Sequence, residues 1–284
     1  MRNLYQTIKK NIQSHRHAAT GPWRWLFGAK EALQLLWSRG LFAMDTVSLI
    51  FKKDEMKLLH GETDVIEFEV MCINLLRRPD KKCFIEKQFD RIGLKVKFFS
   101  AIDGMIIDIP QLTKGGIVAD DNFSPATGMT LIPAQIGVYL SHYELWKAAV
   151  LSPNKISLIL EDDALLVCDR PQLEAFARHI PEDADLFFLN LRKNKTRPIS
   201  LYASMFTGRF WGLTAYFVTR RGAEKLVNLT LPIHESADEA INELNKRGMI
   251  TCYCARKELV VECSNSRDER NFRFKSDILT RTKE

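Results

Sequence analysis

The sequence predicts an α/β fold, a sheet with helices on its faces, and three observations predict it. Residues 66–104 read strand, helix, strand. The run ISLIL (156–160), apolar but for Ser157, follows a long helical pattern and suits a strand buried on both faces. Hydrophobic residues make up 46% of the 284, enough for a sizeable core. A β-α-β order predicts a parallel sheet.

In chain order, residues 1–60 differ from the rest. They carry ten Lys/Arg against four Asp/Glu, while residues 61–284 carry 31 of each, so the net charge of +6 belongs to the N-terminal segment. That segment also holds Trp23, Trp25 and Trp37, three of the five tryptophans, among Arg24, Lys30 and Arg39. No stretch there reaches the roughly 18 apolar residues a membrane span needs. Aromatic residues mixed with cations suit helices lying in the interface of an anionic membrane; a helical pair docked on the main domain is the plainer alternative. The cations are too few, and no groove-reading fold follows, so no nucleic-acid partner is expected. Polar residues 52–64 read as a linker, giving two parts, 1–60 and 61–284.

IEFEVMCINL (66–75) alternates and then turns apolar, as a strand does on entering a sheet. RPDKKCFIEKQFDRIGL has Asp80 near its start, an apolar face of Phe84, Ile85 and Phe89, and a stop at Gly93, so it predicts a helix. LKVKFFSAIDG is a second strand running into a glycine turn. Residues 105–133 are broken by Gly115, Gly116, Pro125, Gly128 and Pro133 and predict an irregular, functional loop. AQIGVYLSHYELWKAAVL predicts a strong helix, DLFFLNL and GLTAYFVT two more strands, RRGAEKLVNLT and SADEAINELNKRGM two helices, and TCYCA a late strand. The charged tail after residue 263 is expected to be partly mobile.

The six cysteines lack zinc-ligand spacing, and no secretory signal is evident; together these predict buried, reduced thiols and a cytoplasmic protein.

The chemistry concentrates after ISLIL. Glu161, Asp162 and Asp163 emerge where open α/β sheets bind ligands, beyond the carboxyl ends of the strands. Three adjacent carboxylates repel one another and need compensation. A hard divalent ion such as Mn²⁺ or Mg²⁺ supplies it and accepts phosphate as a co-ligand. A solvated turn is the bland alternative.

Five or six fragments stand in the order found in one enzyme family: CINLLRRPDKK, FFSAIDG, GVYLSHYELWK, LILEDDALL, GLTAYFVTRRGAEKLV and LPIHESADEAI. Over about residues 66–264 the chain resembles glycosyltransferase family 25, which includes bacterial lipooligosaccharide galactosyltransferases. The resemblance implies a GT-A type, Rossmann-like nucleotide-sugar-binding sheet flanked by helices, with the N-terminal helical segment as an extra. It implies inverting transfer of a sugar, commonly galactose from UDP-galactose, to a lipooligosaccharide, LPS or other surface glycan. The partners are then a UDP-sugar donor and a glycolipid or oligosaccharide acceptor at the inner face of a bacterial membrane. Carried over residue by residue, it places Asn74, Arg77, Arg78, Asp103, Ser141, His142, Glu161 and Asp162 at the nucleotide-sugar. Asp163, with Glu161 assisting, becomes the metal site, and Asp238 the catalytic base. Each has a structural alternative: a helix-capping acid for Asp238, a core histidine for His142, solvated cations for the arginines.

Leu76 stands where many relatives carry a polar residue. LIPAQIG replaces a more usual Gly-Glu-Ile-Gly approach, and KELVVECSNS lacks a Pro-rich lead-in. These departures keep open a catalytically silent, membrane-associated scaffold that binds nucleotide-sugar. A nucleotidyltransferase would want a Gly-rich loop after the first strand, and NLLRRPDKK has no glycine.

Overall fold

The computed structural model describes residues 66–123, 128–192, 194–264 and 271–277. The basic segment 1–60, expected to be helical and membrane-facing, lies outside the described residues.

The chain opens as expected. Strand β1 (Phe68–Asn74) is followed by helix α1 (Pro79–Arg91) and strand β2 (Val96–Ser100), with β2 parallel to β1. Pro79 starts α1, where its missing N–H costs nothing, and Asp80 sits in the first turn. A short helix, α2 (Ile109–Lys114), capped by the Asp108 side chain, lies inside the stretch expected to be irregular. Helix α3 (Pro133–Leu151) leads to β3 (Ile156–Glu161), which pairs in parallel on the other side of β1.

Beyond β3 the sheet departs from the all-parallel expectation. The remaining elements are β4 (Ala164–Leu166), α4 (Arg170–Arg178), β5 (Leu186–Phe188), β6 (Thr196–Pro198), β7 (Ala203–Phe206), β8 (Ala215–Thr219), α5 (Arg220–Leu229), α6 (Ala237–Lys246), β9 (Cys252–Ala255) and β10 (Val260–Glu262). The eight-stranded sheet runs β2-β1-β3-β8-β5-β9-β7-β6, with β8 antiparallel to both neighbours. The arrangement is therefore mixed, and still α/β. β4 and β10 form a separate antiparallel pair.

Alternation along the strands divides the core between two faces. Met71, Ile73, Ile159, Tyr216 and Val218 face α3, α5 and α6, packing with Ile136, Tyr139, Trp146, Leu226 and Ile241. Val70, Cys72, Leu158, Leu160 and Phe217 face α1 and α4, packing with Ile85, Phe89, Leu173 and Phe176. Asp185, fully buried before β5, accepts from Arg221 and Lys225 of α5 and from the Thr251 N–H just before β9, so three donors satisfy one charge.

Helix α3 is seated against the loop after β2. A Cβ on Gly137 would lie 2.5 Å from the Ile102 carbonyl oxygen, and one on Gly104 would lie 2.3 Å from that of Pro133. Ser141 fastens the same contact: its hydroxyl donates to the Gly137 carbonyl at 2.7 Å and accepts the Ile102 N–H at 2.9 Å.

A polar chain runs from α3 into the core. The Trp146 indole N–H donates to the Tyr216 hydroxyl at 2.8 Å, and that hydroxyl lies 2.9 Å from His142 Nδ1. Indole nitrogen can only donate, so the Tyr216 hydroxyl accepts from Trp146 and is shared with His142 Nδ1. Burial pulls the His142 pKa down to about 3 and holds the ring neutral.

Gly137→Ala should cost about 1–3 kcal/mol, because backbone must move to admit the methyl. Gly208→Ala, whose new Cβ meets nothing within 4 Å, is the control. Chemical denaturation of both variants checks this; equal midpoints would mean the α3 contact is looser than described. His142 has a separate signature. Its native pKa lies below the unfolded value, so the unfolded chain binds the extra proton between pH 6.5 and about 3. The stability it supports is complete above pH 6.5 and drains away as pH falls through that window, by up to about 1.4 kcal/mol per pH unit. In His142→Gln, unfolding free energies measured across the window should lose that component of the slope.

Candidate functional site

The carboxyl ends of β1, β2 and β3 converge with the start of α3 and the end of β10 on a cleft of about 120 Å³. Arg77, Asp103, Ser141, His142, Glu161, Asp162 and Asp163, all expected from the sequence, line it. Lys81, Glu262, Ser264, Ser276 and Asp277 line it as well and were not anticipated.

Glu161 ends β3, Asp162 and Asp163 form the turn to β4, and the three carboxylates meet different surroundings. Asp162 turns toward α1: its oxygens accept from Asn74 Nδ2 and Lys81 Nζ, both at 2.9 Å. Asn74 also donates to the Arg78 carbonyl, so β1, β3 and the first turn of α1 meet at one carboxylate. Asp162 is thus satisfied within the protein.

Glu161 and Asp163 are not. The Asp163 side chain is 6% exposed, and its Oδ1 is without a hydrogen-bond partner among the described residues. Burial first, and then Glu161, push its pKa up to about 7. Glu161 keeps 26% of its side chain open to water. Burial and the nearby Glu262 also raise it, and the remaining water contact moderates the rise. His142 Nε2 lies 3.3 Å from Glu161 Oε1, so the buried Trp146–Tyr216–His142 chain ends on this carboxyl group. His142 is therefore a core histidine with one edge at the site.

Opposite the acids stand three cations. Arg77 pairs with Asp103 at 3.1 Å, Arg78 with Asp80 at 2.8 Å, and Lys81 with Asp162 at 2.9 Å. All three also reach Asp277. Lys81 is only 3% exposed. Burial alone would lower its pKa, but Asp162, Asp277 and Asp163 outweigh burial and raise it.

The residues carried over by family likeness fall into two groups. Arg77, Glu161 and Asp163 present charge to the cleft, while Arg78 lies outside its lining and reaches it through Asp277. Asn74, Asp162, Asp103 and Ser141 hold the cleft's walls, Asp103 also accepting the Met105 N–H at 3.0 Å. Asp238, in the first turn of α6, lies outside the cleft lining. Its oxygens accept from the Gly212 N–H at 3.2 Å, the Ser236 hydroxyl at 2.8 Å and the Glu239 N–H at 3.1 Å. Gly212 has φ +79°, and a side chain there would strike Arg192, so Asp238 braces a tight turn. Beside it, Trp211 is 40% exposed with the Arg209 guanidinium 4.8 Å over its ring.

The acids suit a hard divalent cation in charge and donor type. As the structure stands, no group of three or more His, Cys, Asp or Glu side chains among the described residues is placed to hold a metal ion. Magnesium-type sites often use one or two carboxylates and complete the shell with substrate phosphate and water, a requirement Asp163 and Glu161 meet. Also among the described residues, no helix is long and apolar enough to cross a membrane.

Known proteins were compared with the chain. A family model described as glycosyltransferase family 25 (LPS biosynthesis protein) matches residues 68–241. Procollagen galactosyltransferase 1 of Danio rerio is 28% identical over 186 residues, covering 61% of this chain and 30% of that protein. A glycosyltransferase 25 family member of Drosophila melanogaster is 35% identical over 95 residues, covering 33% of this chain and 16% of its own. The inactive glycosyltransferase 25 family member 3 of Homo sapiens is 25% identical over 168 residues, covering 56% and 28%. The chain thus spans less than a third of the length of these relatives. Among solved structures, the glycosyltransferase GlyE of Streptococcus pneumoniae TIGR4 aligns with a TM-score of 0.39 and 14% identity, over 67% of this chain and 45% of that one. The family model spans more than half of the chain, and the protein belongs to glycosyltransferase family 25.

Proposed function

We propose that the protein is an inverting, metal-dependent hexosyltransferase of GT-A type. It moves galactose from UDP-galactose to a hydroxyl of a lipooligosaccharide, LPS or other surface glycan. One observation carries the reading: the buried Asp163 and the half-buried Glu161, both with raised pKa values, share one cleft at the sheet edge with the cations Arg77 and Lys81, and Arg78 reaches the cleft-lining Asp277. That pairing suits a ligand bringing both a cation and a diphosphate. The family description supports a surface glycan as acceptor, and the zebrafish relative's name supports galactose as the sugar. The curated relatives reported above are animal proteins, so the bacterial setting rests on the family likeness alone.

In transfer, the acceptor oxygen attacks the anomeric carbon and the bond to the diphosphate oxygen breaks. Negative charge grows on the departing diphosphate, where Arg77, Arg78 and Lys81 offset it. Bound at Asp163 with help from Glu161, Mn²⁺ or Mg²⁺ would supply further Lewis-acid neutralisation of that leaving group. His142 holds Glu161 in position through its Nε2 contact. Asp238 is the proposed base that takes the acceptor proton, in the manner of inverting glycosidases. That role rests on the family likeness, while its three hydrogen bonds support the bracing role.

A second reading is a catalytically silent binding protein. Leu76 is 83% exposed at the loop where many relatives are polar, and a human relative carries the name inactive.

UDP release across a panel of sugar donors, with and without Mn²⁺, tests these readings together. The expected outcome is metal-dependent turnover that Asp163→Asn reduces by about 100-fold or more with unchanged folding. Full activity in Asp163→Asn would remove the metal assignment. Donor binding with no turnover across an acceptor library would favour the silent protein. The N-terminal segment is proposed to hold the enzyme at an anionic membrane on the cytoplasmic side. Deleting residues 1–50 should then weaken sedimentation with anionic vesicles at least several-fold, and undiminished binding would end that assignment.

A further inference from the structure

The cation cluster already holds an anion. The Asp277 carboxylate lies 2.8 Å from Lys81 Nζ and 3.3 Å from Arg77 Nη1, and it also pairs with Arg78 Nη1. Its segment is docked rather than trailing. The Arg273 N–H donates to the Cys263 carbonyl at 2.9 Å. Phe274 packs edge-on against Phe84 of α1, with ring centroids 5.1 Å apart, and the Arg78 guanidinium stands 5.8 Å from its ring. Ser276 and Asp277 form part of the cleft wall beside Glu161, Asp162 and Asp163.

Charge and space both oppose a donor entering while this segment is in place. Each cation has a carboxylate of its own, Asp103 for Arg77, Asp80 for Arg78 and Asp162 for Lys81, and Asp277 makes a fourth acid against three bases. A diphosphate added to that set would meet net negative charge, with Glu161 and Asp163 close by. The cleft of about 120 Å³ is also well below the ~300–1,000 Å³ that small-molecule sites usually offer.

We propose that Asp277 is an internal competitor for the donor's diphosphate, and that residues 271–277 form a strap that nucleotide-sugar must displace. The proposal rests on the nucleotide-sugar reading above and concerns the regulation of that same site. With Asp277 seated, the cations are preorganised but occupied, and only the fraction of molecules with the strap released binds donor. Apparent affinity falls by that fraction. On release, the three cations keep only their own carboxylates and can accept a diphosphate. Lys81 gains a stated role: it is the cation shared by the resident Asp162 and whichever anion holds the seat.

The experiment is calorimetric titration of UDP, with Mn²⁺ present, into the full-length protein and Asp277→Asn. The variant should bind UDP about tenfold tighter, because the competing charge is gone while the side-chain shape stays. In parallel, hydrogen exchange on the unmodified protein should show the amides of Arg273 and Phe274 exchanging faster when UDP saturates it. Equal or weaker UDP binding by Asp277→Asn, or amides whose protection UDP leaves unchanged or increases, would overturn the strap. Intact UDP binding by the unmodified protein would then leave the glycosyltransferase reading standing. Failure of both proteins to bind UDP would remove both.

Discussion

A single buried ammonium holds the site together. Lys81 Nζ sits between Asp162, at the end of β3, and Asp277, on the C-terminal segment, 2.9 and 2.8 Å away. An ammonium that is 3% exposed is tolerated only because both carboxylates, and Asp163 behind them, favour its charged form more than burial disfavours it. The consequence is geometric. The first turn of α1 is tied to the sheet edge, Arg77 and Arg78 are carried to the cleft mouth, and the middle acid of the Glu-Asp-Asp run is consumed. Breaking such a pair from one side leaves an uncompensated buried charge, so Asp162 and Lys81 stand or fall together.

What remains is a division of labour among carboxylates at the turn between β3 and β4. Asp162 points back into the fold and binds protein. Glu161 and Asp163 point the other way, with His142 orienting one and Ser264 contacting the other. Both have raised pKa values because burial disfavours their charge and neighbouring carboxylates add to it. A cation arriving with a diphosphate would correct this imbalance, and the diphosphate would meet Arg77, Arg78 and Lys81. Asp277 fits the same logic, since a carboxylate on a docked segment is the anion nearest in chemistry to a phosphate oxygen that the chain can offer.

The α/β class, β1-α1-β2, the long helix α3 and the acidic mouth of β3 were legible because each is local: apolar periodicity, a glycine stop, three acids after an apolar run. The all-parallel sheet was not borne out, because strand direction is set by pairing between segments far apart in sequence, as when β8 inserts antiparallel between β3 and β5. β4 and β10 are three residues each and pair across almost a hundred positions, too short to show a period. α4 carried a readable signal, Asp169 before Arg170-Pro171-Gln172, whose side chain caps the helix, but it was overlooked. At the site, residue types were legible and partnerships were not: the separate fate of Asp162 depends on Lys81, 81 positions away. The tail looked solvated from its charge, yet Phe274 and Asp277 find partners on α1 that composition does not reveal.

Burial disfavours charge on Glu161 and Asp163, and a divalent cation bound together with a diphosphate would restore it. Proton counting tests it most directly. Mn²⁺ would be titrated at pH 7 into protein saturated with UDP, in buffers of different ionisation enthalpy. The account predicts a net release of protons with each Mn²⁺ bound, much reduced in Glu161→Gln and Asp163→Asn. Binding of Mn²⁺ with no proton released, or release unchanged in both variants, would contradict it.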